Sequence, residues 1–235
     1  MTSNVASGPH DLANLKPVYV FEAPVRVWHW LHTLSFLALA ASGYLIANPL
    51  PSLAGEASDH FMMGNIRLIH FISGYVFAIG FAVRIYWAVV GNRYARQIFY
   101  LPFWRKDWWR DLLYELRFYL FLTREQRKTL GHNPLAQTSM FFLNTLMTLF
   151  LIITGFALYG EGLGSGSWAD KGFGWITPIL GGGEATHNWH NMAMWIMLTF
   201  VIIHIYMAVR ADIVGRASSV STIINGWRLF KDDQP

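Results

Sequence analysis

The chain contains no cysteine among its 235 residues. That excludes disulfides, thioether-attached haem, and any iron–sulfur cluster held by cysteines of this chain alone. Charge is scarce as well: Asp, Glu, Lys and Arg make up 14% of the residues against 54% hydrophobic ones, far from the balance of a soluble domain. No alternating strand pattern recurs, so the backbone groups of a chain in lipid have to be satisfied within helices. The start, MTSNVASGPHDLANLKPVYV, lacks the basic and apolar regions of a cleavable signal, and the first spanning helix is expected to act as the insertion signal. Lys and Arg are missing from 48–62, and only Lys171 occurs in 160–186.

What is present is apolar length. Four segments, about 26–47, 63–90, 138–159 and 187–209, can each cross roughly 30 Å of hydrocarbon as a helix. The chain therefore reads as an all-α integral membrane protein, one domain of four transmembrane helices over 1–235, with an amphipathic cytoplasmic loop at 91–137. That loop holds Arg93, Arg96, Arg105, Lys106, Arg110, Arg117, Arg124, Arg127 and Lys128. By the positive-inside rule it faces the cytoplasm together with both termini. The same asymmetry explains the formal net charge of +4, so no nucleic-acid partner is needed. Within the loop, Trp104, Trp108, Trp109, Leu112, Leu113 and Leu116 alternate with charges at helical spacing, as in an interfacial helix lying among the lipid headgroups. The glycine-rich loop 160–186 reads as an irregular docking surface on the outer side.

Histidine supplies the chemistry. His190 and His204 lie fourteen residues apart on one apolar stretch, which advances roughly 21 Å along a helix and returns within about 40° of the starting face. Imidazole suits iron, and a segment this apolar does not carry two such groups without partners. Following the chain through the bilayer matches depths in pairs: His70 with His190 near the outer side and His29 with His204 near the inner side, each pair able to hold one haem axially. The alternatives are interhelical hydrogen bonds or interfacial histidines. His32 and His187 lie three residues from His29 and His190 and can replace them as ligands after a modest rotation. His10, His60 and His132 lie outside the spans.

Small residues and one arginine accompany these histidines. Gly43, Gly74 and Gly155 suit either a flat macrocycle or close helix packing. Arg67, one turn before His70, suits either haem propionates or headgroups. Laying the first span on the third superposes Leu31, Thr33, Ser42, Gly43 and Tyr44 on Leu143, Thr145, Thr154, Gly155 and Phe156. Laying the second on the fourth superposes His70 on His190, and Ile85, Tyr86, Ala88 and Val89 on Ile205, Tyr206, Ala208 and Val209. Chance similarity between apolar helices and a true duplication both account for this. In a duplication, Arg84 takes the place of His204.

Two axial imidazoles leave an iron no open position, so such a haem passes single electrons. The chain then needs an electron donor on one face and a lipid-soluble acceptor, for which quinone is the natural choice. RVWHWLHTLSFLALAASG from Arg26 and HNWHNMAMWIMLTFVIIH from His187 resemble the cytochrome b subunits of membrane-bound nickel–iron hydrogenases, and more distantly the gamma subunits of formate dehydrogenases. His190, Trp195, Phe200 and His204 fit that family's pattern, while Ser42 stands where threonine is usual. The resemblance implies two b-type haems on His29, His70, His190 and His204, in the inner membrane of a bacterium. It also implies a partner hydrogenase with a nickel–iron large subunit and an iron–sulfur small subunit, the latter delivering electrons. Quinone is then reduced near the inner haem, and the loop entering the third span, His132, Asn133 and Pro134, supplies quinone contacts; a plain turn before a helix is the other reading of that tripeptide. A cytochrome b for formate or thiosulfate oxidation, or a haem-free proton-coupled transporter with histidine relays, are the competing functions.

Overall fold

The computed structural model describes residues 15–51, 60–123, 129, 131–213 and 218–231. The N-terminal stretch read for a signal, His10, and Arg124, Arg127 and Lys128 of the basic loop lie outside the described residues. The element order begins with β1 (Leu15–Tyr19), α1 (Ala23–Ala47) and α2 (Met62–Val90), followed by a 3-10 turn at Gln97–Phe99 and α3 (Lys106–Tyr119). Next come α4 (Pro134–Ser139), a π-helical stretch at Met140–Leu146, α5 (Met147–Leu163), α6 (Trp168–Phe173) and α7 (Ile176–Leu180). The chain then runs through α8 (Gly183–Ile213), α9 (Ser219–Asn225) and β2 (Trp227–Lys231). Among the described residues four helices are long and apolar enough to cross a membrane: α1, α2, the continuous run Pro134–Leu163, and α8.

Local chemistry sets the helix ends. Pro24 opens α1, where its missing N–H costs nothing. Asn133 caps α4, its Oδ1 accepting from Ala136 N at 2.7 Å, with Pro134 in the first turn. Gly181 and Gly182, at φ 99° and 103°, make the left-handed break between α7 and α8 that side chains with a Cβ resist. The π stretch inserts an extra residue per turn, a feature that recurs at functional sites.

The bundle packs α1 on α2 and α5 on α8, with α2 meeting α5 and α1 meeting α8. Its middle is an apolar plug of Phe36, Phe77, Met197 and Phe200, one residue or more from each of α1, α2 and α8, against Met147 and Leu151 of α5. A second cluster, Val20, Phe21, Val25, Tyr94 and Ala95, closes the end of the bundle that carries β1 and β2.

Three features differ from the sequence reading. First, β1 and β2 pair antiparallel, Leu15 opposite Lys231 through Tyr19 opposite Trp227; five residues are too few to register as a period, and the pairing exists because four spans return the chain to its starting side. We call this the ribbon side, and the opposite one the loop side. Secondly, the interfacial helix is docked rather than floating. Trp104, Trp109, Leu113 and Leu116 of this region are exposed, but Trp108, Glu115 and Phe118 are buried, with Trp108 Nε1 donating to Gln137 Oε1 at 3.2 Å. The Arg210 guanidinium, at the end of α8, lies over Phe118 and Phe121 at 4.6 and 4.4 Å, a further anchor. Thirdly, the 160–186 loop contains α6 and α7. Gly160 explains the first of these: a Cβ there would lie 2.6 Å from Asp170 N, so only glycine lets α6 rest on α5.

Candidate haem sites

On the loop side, two imidazoles sit in matching cradles. His70 of α2 lies against α1, its Nδ1 2.9 Å from Ser42 Oγ, and a Cβ on Gly43 would be 3.2 Å from its Cε1. His190 of α8 lies against α5, its Nδ1 2.7 Å from Thr154 Oγ1, and a Cβ on Gly155 would again be 3.2 Å from Cε1. Each hydroxyl has one proton, and each is within 2.6 or 2.7 Å of the carbonyl four residues earlier, Ala38 or Phe150. Having donated there, it can only accept from Nδ1–H. Both rings are thereby fixed as the tautomer with Nε2 unprotonated, which is the state a metal ligand requires.

The level of these rings is common to both halves. Phe71 and Tyr75, which flank His70 by one and five residues, meet Tyr159 and Phe156 of α5 at 4.9 and 5.5 Å between ring centres. The repeat read from the sequence thus has a structural counterpart: Ser42–Gly43 and Thr154–Gly155 perform the same task for His70 and His190. The tautomer-setting role of the two hydroxyls is not legible in one sequence, although their equivalent positions in the two halves are.

On the ribbon side, His29 of α1 and His204 of α8 face each other with ring centres 6.5 Å apart. A metal–imidazole bond is about 2 Å and a ring nitrogen lies roughly 1.1 Å from its ring centre, so two axial rings on one iron stand about 6 Å apart. The pair has the spacing for an iron between them. Among the described residues neither ring makes a hydrogen bond, and His29 Nδ1 is buried without a partner. Phe200 stacks on His204 at 5.7 Å and 23°, holding its plane.

The alternates lie elsewhere. His32 stacks on Phe77 at 4.2 Å and 15° and its Nε2 lies 3.5 Å from Thr148 Oγ1 of α5, so it is turned into the middle of the bundle. His187 is exposed at the mouth of α8, and Arg67 is exposed one turn before His70. At Gly74 a Cβ would meet only Leu39 Cδ2, at 3.9 Å; protein packing does not demand glycine there.

His132 lies on the ribbon side. Its backbone N–H donates to Gln97 Oε1 at 2.9 Å, and Nδ1 is 3.3 Å from the same oxygen, which leaves Nε2 as an acceptor. Phe21 packs on the ring at 5.6 Å. Burial first, and then the positive fields of Arg228, His204, Arg84 and His29, push its pKa down to about 3, so it is neutral at physiological pH. Asn133 is engaged structurally: Oδ1 caps α4, and Nδ2 donates to Glu115 Oε2 at 3.2 Å. Pro134 starts the helix. Of the tripeptide, His132 has a ring nitrogen left to offer. Gln97, and Arg228, whose Nη1 donates to the carbonyls of Thr129 and Gly131 at 2.7 and 3.0 Å, position it; nothing in their local sequence announced that.

Among the described residues no three His, Asp or Glu side chains gather to hold a bare metal ion. Imidazoles held with Nε2 unprotonated beside glycine at His70 and His190, and two imidazoles 6.5 Å apart at His29 and His204, fit instead a metal whose equatorial ligands come from a flat macrocycle, which is what haem supplies.

Comparison with known proteins identifies the family. Residues 20–226 match the family model described as prokaryotic cytochrome b561. A "Probable Ni/Fe-hydrogenase B-type cytochrome subunit" of Azotobacter chroococcum is 53% identical over 228 residues, 97% of this chain and 95% of that protein. A protein of the same name from Cupriavidus necator is 47% identical over 97% of this chain and 92% of its own. The "Probable Ni/Fe-hydrogenase 1 B-type cytochrome subunit" of Escherichia coli K12 is 48% identical over 93% of each. With four membrane-spanning helices, paired histidines and a match over nearly its whole length, the chain belongs to the prokaryotic cytochrome b561 family.

Proposed function

We propose that this chain is the b-type cytochrome subunit of a membrane-bound nickel–iron hydrogenase, anchoring that enzyme and passing its electrons to quinone. The relatives' names support the hydrogenase partner, and they favour a cytochrome over the transporter reading. The duplicated cradle carries the haem assignment: Ser42–Gly43 around His70 and Thr154–Gly155 around His190. His70 and His190 would hold one haem b on the loop side, and His29 and His204 a second on the ribbon side. With its iron closed on both faces by imidazole, each haem would supply one-electron transfer and no substrate chemistry.

The basic residues of 91–123 favour, by the positive-inside rule, a cytoplasmic ribbon side in the inner membrane, with both termini in the cytoplasm. The hydrogenase's iron–sulfur small subunit, carrying its nickel–iron large subunit, then meets the loop side. Quinone is reduced on the ribbon side beside the His29–His204 pair, where neutral His132 offers Nε2 as the acceptor for a quinol hydroxyl. Gln97 holds that ring in place.

A haem-to-protein ratio with reductive titration of the purified complex tests the assignment. Two low-spin b-type haems per chain are expected, inert to carbon monoxide because no axial position is open. A colourless chain, or ready carbon monoxide binding, would overturn it; a molybdenum enzyme co-purifying in place of hydrogenase subunits would reject the partner.

A further inference from the structure

The ribbon side also holds a charge that the paired histidines do not use. Arg84 of α2 is 3% exposed. Its guanidinium lies between Trp28 and Phe99, 5.3 and 5.2 Å from their ring centres, and Nη2 donates to the Ala95 carbonyl. Nε and Nη1 are buried and have no partner, and neither has the indole Nε1 of Trp28 beside them. Among the described residues no carboxylate pairs with Arg84; Glu22, in the same pole, already accepts from Trp87 Nε1 and Asn92 N, both at 2.9 Å. Aromatic faces hold a cation in place but do not neutralise it. A buried arginine with two unspent donors calls for an anion, and the planar fork of the guanidinium suits a carboxylate.

Two observations say which carboxylate. Trp28 immediately precedes His29, so its indole N–H belongs to the same turn as the ring that faces His204. The internal repeat, given physical content by the two cradles, superposes Arg84 on His204 just as it superposes His70 on His190. Arg84 therefore stands fourteen residues beyond His70, as His204 does beyond His190, and at the matching depth. One half of the bundle offers an imidazole there, and the other a guanidinium. We propose that Arg84, with the Trp28 indole, binds a propionate carboxylate of the ribbon-side haem and raises that haem's reduction potential. The inference rests on the paired-histidine reading. A neutral quinone oxygen would satisfy the donors and leave the charge unbalanced, which is why the carboxylate is preferred.

The test is a redox titration of the purified complex, with resonance Raman spectra of the propionate bending region. In R84Q the ribbon-side haem, recognised as the one lost in H204A, should shift at least tenfold toward the ferric form, about 59 mV for a one-electron couple. Its propionate band should move, and the loop-side haem should stay where it is. R84K, which keeps the charge without the fork, should shift less in the same direction. If R84Q fails to assemble, W28F removes only the indole donor and should give a smaller shift with the same band movement.

Unchanged potentials with a raised KM for quinone would hand the guanidinium to the quinone and overturn the proposal. A changed potential with an unmoved propionate band would point to a carboxylate of the partner subunit, and would overturn it too. No change in either would leave Arg84 as a strut for the Ala95 carbonyl. A wild-type complex without low-spin haem would instead sink the paired-histidine reading beneath it.

Discussion

His29 and His204 come from the first and last membrane spans, yet their rings face each other at 6.5 Å, while His70 and His190 are each anchored by a hydroxyl from the neighbouring helix at 2.9 and 2.7 Å. The two sites therefore differ in how their ligands are supported, and the difference has consequences that can be measured.

Replacing His204 or His29 with alanine should lower the haem content from two to one per chain and abolish hydrogen-to-quinone electron transfer. Viologen-linked hydrogen oxidation by the attached hydrogenase should persist, because that reaction bypasses the quinone end. Pyridine haemochrome assay and the two activities, measured on one preparation, check this. Loss of both activities would mean that the histidines hold the complex together.

An Nδ1 hydrogen bond strengthens an imidazole as a ligand and orients it, and losing such a partner typically weakens a metal site about 10–100-fold. Ser42→Ala and Thr154→Val should each loosen the loop-side haem by that order and raise its potential, because the weaker donor favours the ferrous state. Thr154→Ser should keep both properties. Haem loss to a competing apoprotein and a redox titration distinguish these outcomes, and an equal loss of the ribbon-side haem would contradict the assignment of the cradles.

Glycine in a helix interior ordinarily loses roughly 0.5–1 kcal/mol relative to alanine, an effect that by itself would make Gly155→Ala stabilising. Its Cβ, however, would stand 3.2 Å from His190 Cε1. Displacing a fixed ring in a packed site costs about 1–3 kcal/mol, so the second effect wins. The variant should lower the thermal stability of the haem-loaded chain and alter its low-spin spectrum. An alanine variant as stable as the parent with an unaltered Soret band would show that the ring has room to move.

His132 carries the pH dependence that can be read outside the spans. Its folded pKa of about 3 lies below the ordinary 6.5, so between those values the unfolded chain binds the extra proton. Its contribution to stability is fully present above pH 6.5 and is lost as the pH falls toward 3. Thermal unfolding in detergent should therefore show the parent losing more stability than His132→Gln between pH 6.5 and 5. Equal acid sensitivity of the two proteins would place the imidazole in water rather than between Phe21 and Gln97.

Much of this molecule was legible in its sequence. Apolar length and the scarcity of charge dictate four helices, because lipid leaves the backbone no other partner. The fourteen-residue interval between His190 and His204 sets two depths, since helical rise is fixed. Even the likeness of Ser42–Gly43 to Thr154–Gly155 was visible as a repeat. Tertiary structure decided the rest. His29 and His32 are three residues apart on one helix, and only the rotation of α1 against α2 and α8 turns the first toward His204 and the second onto Phe77. The donors of Arg84 and Trp28, the Gln97 contact of His132 and the docking of α3 through Trp108 all depend on residues far apart in the chain. Hydrophobic patterning determines that a helix is buried in lipid and how deep each residue sits, whereas the direction in which each side chain points is fixed only when the neighbouring helices pack against it.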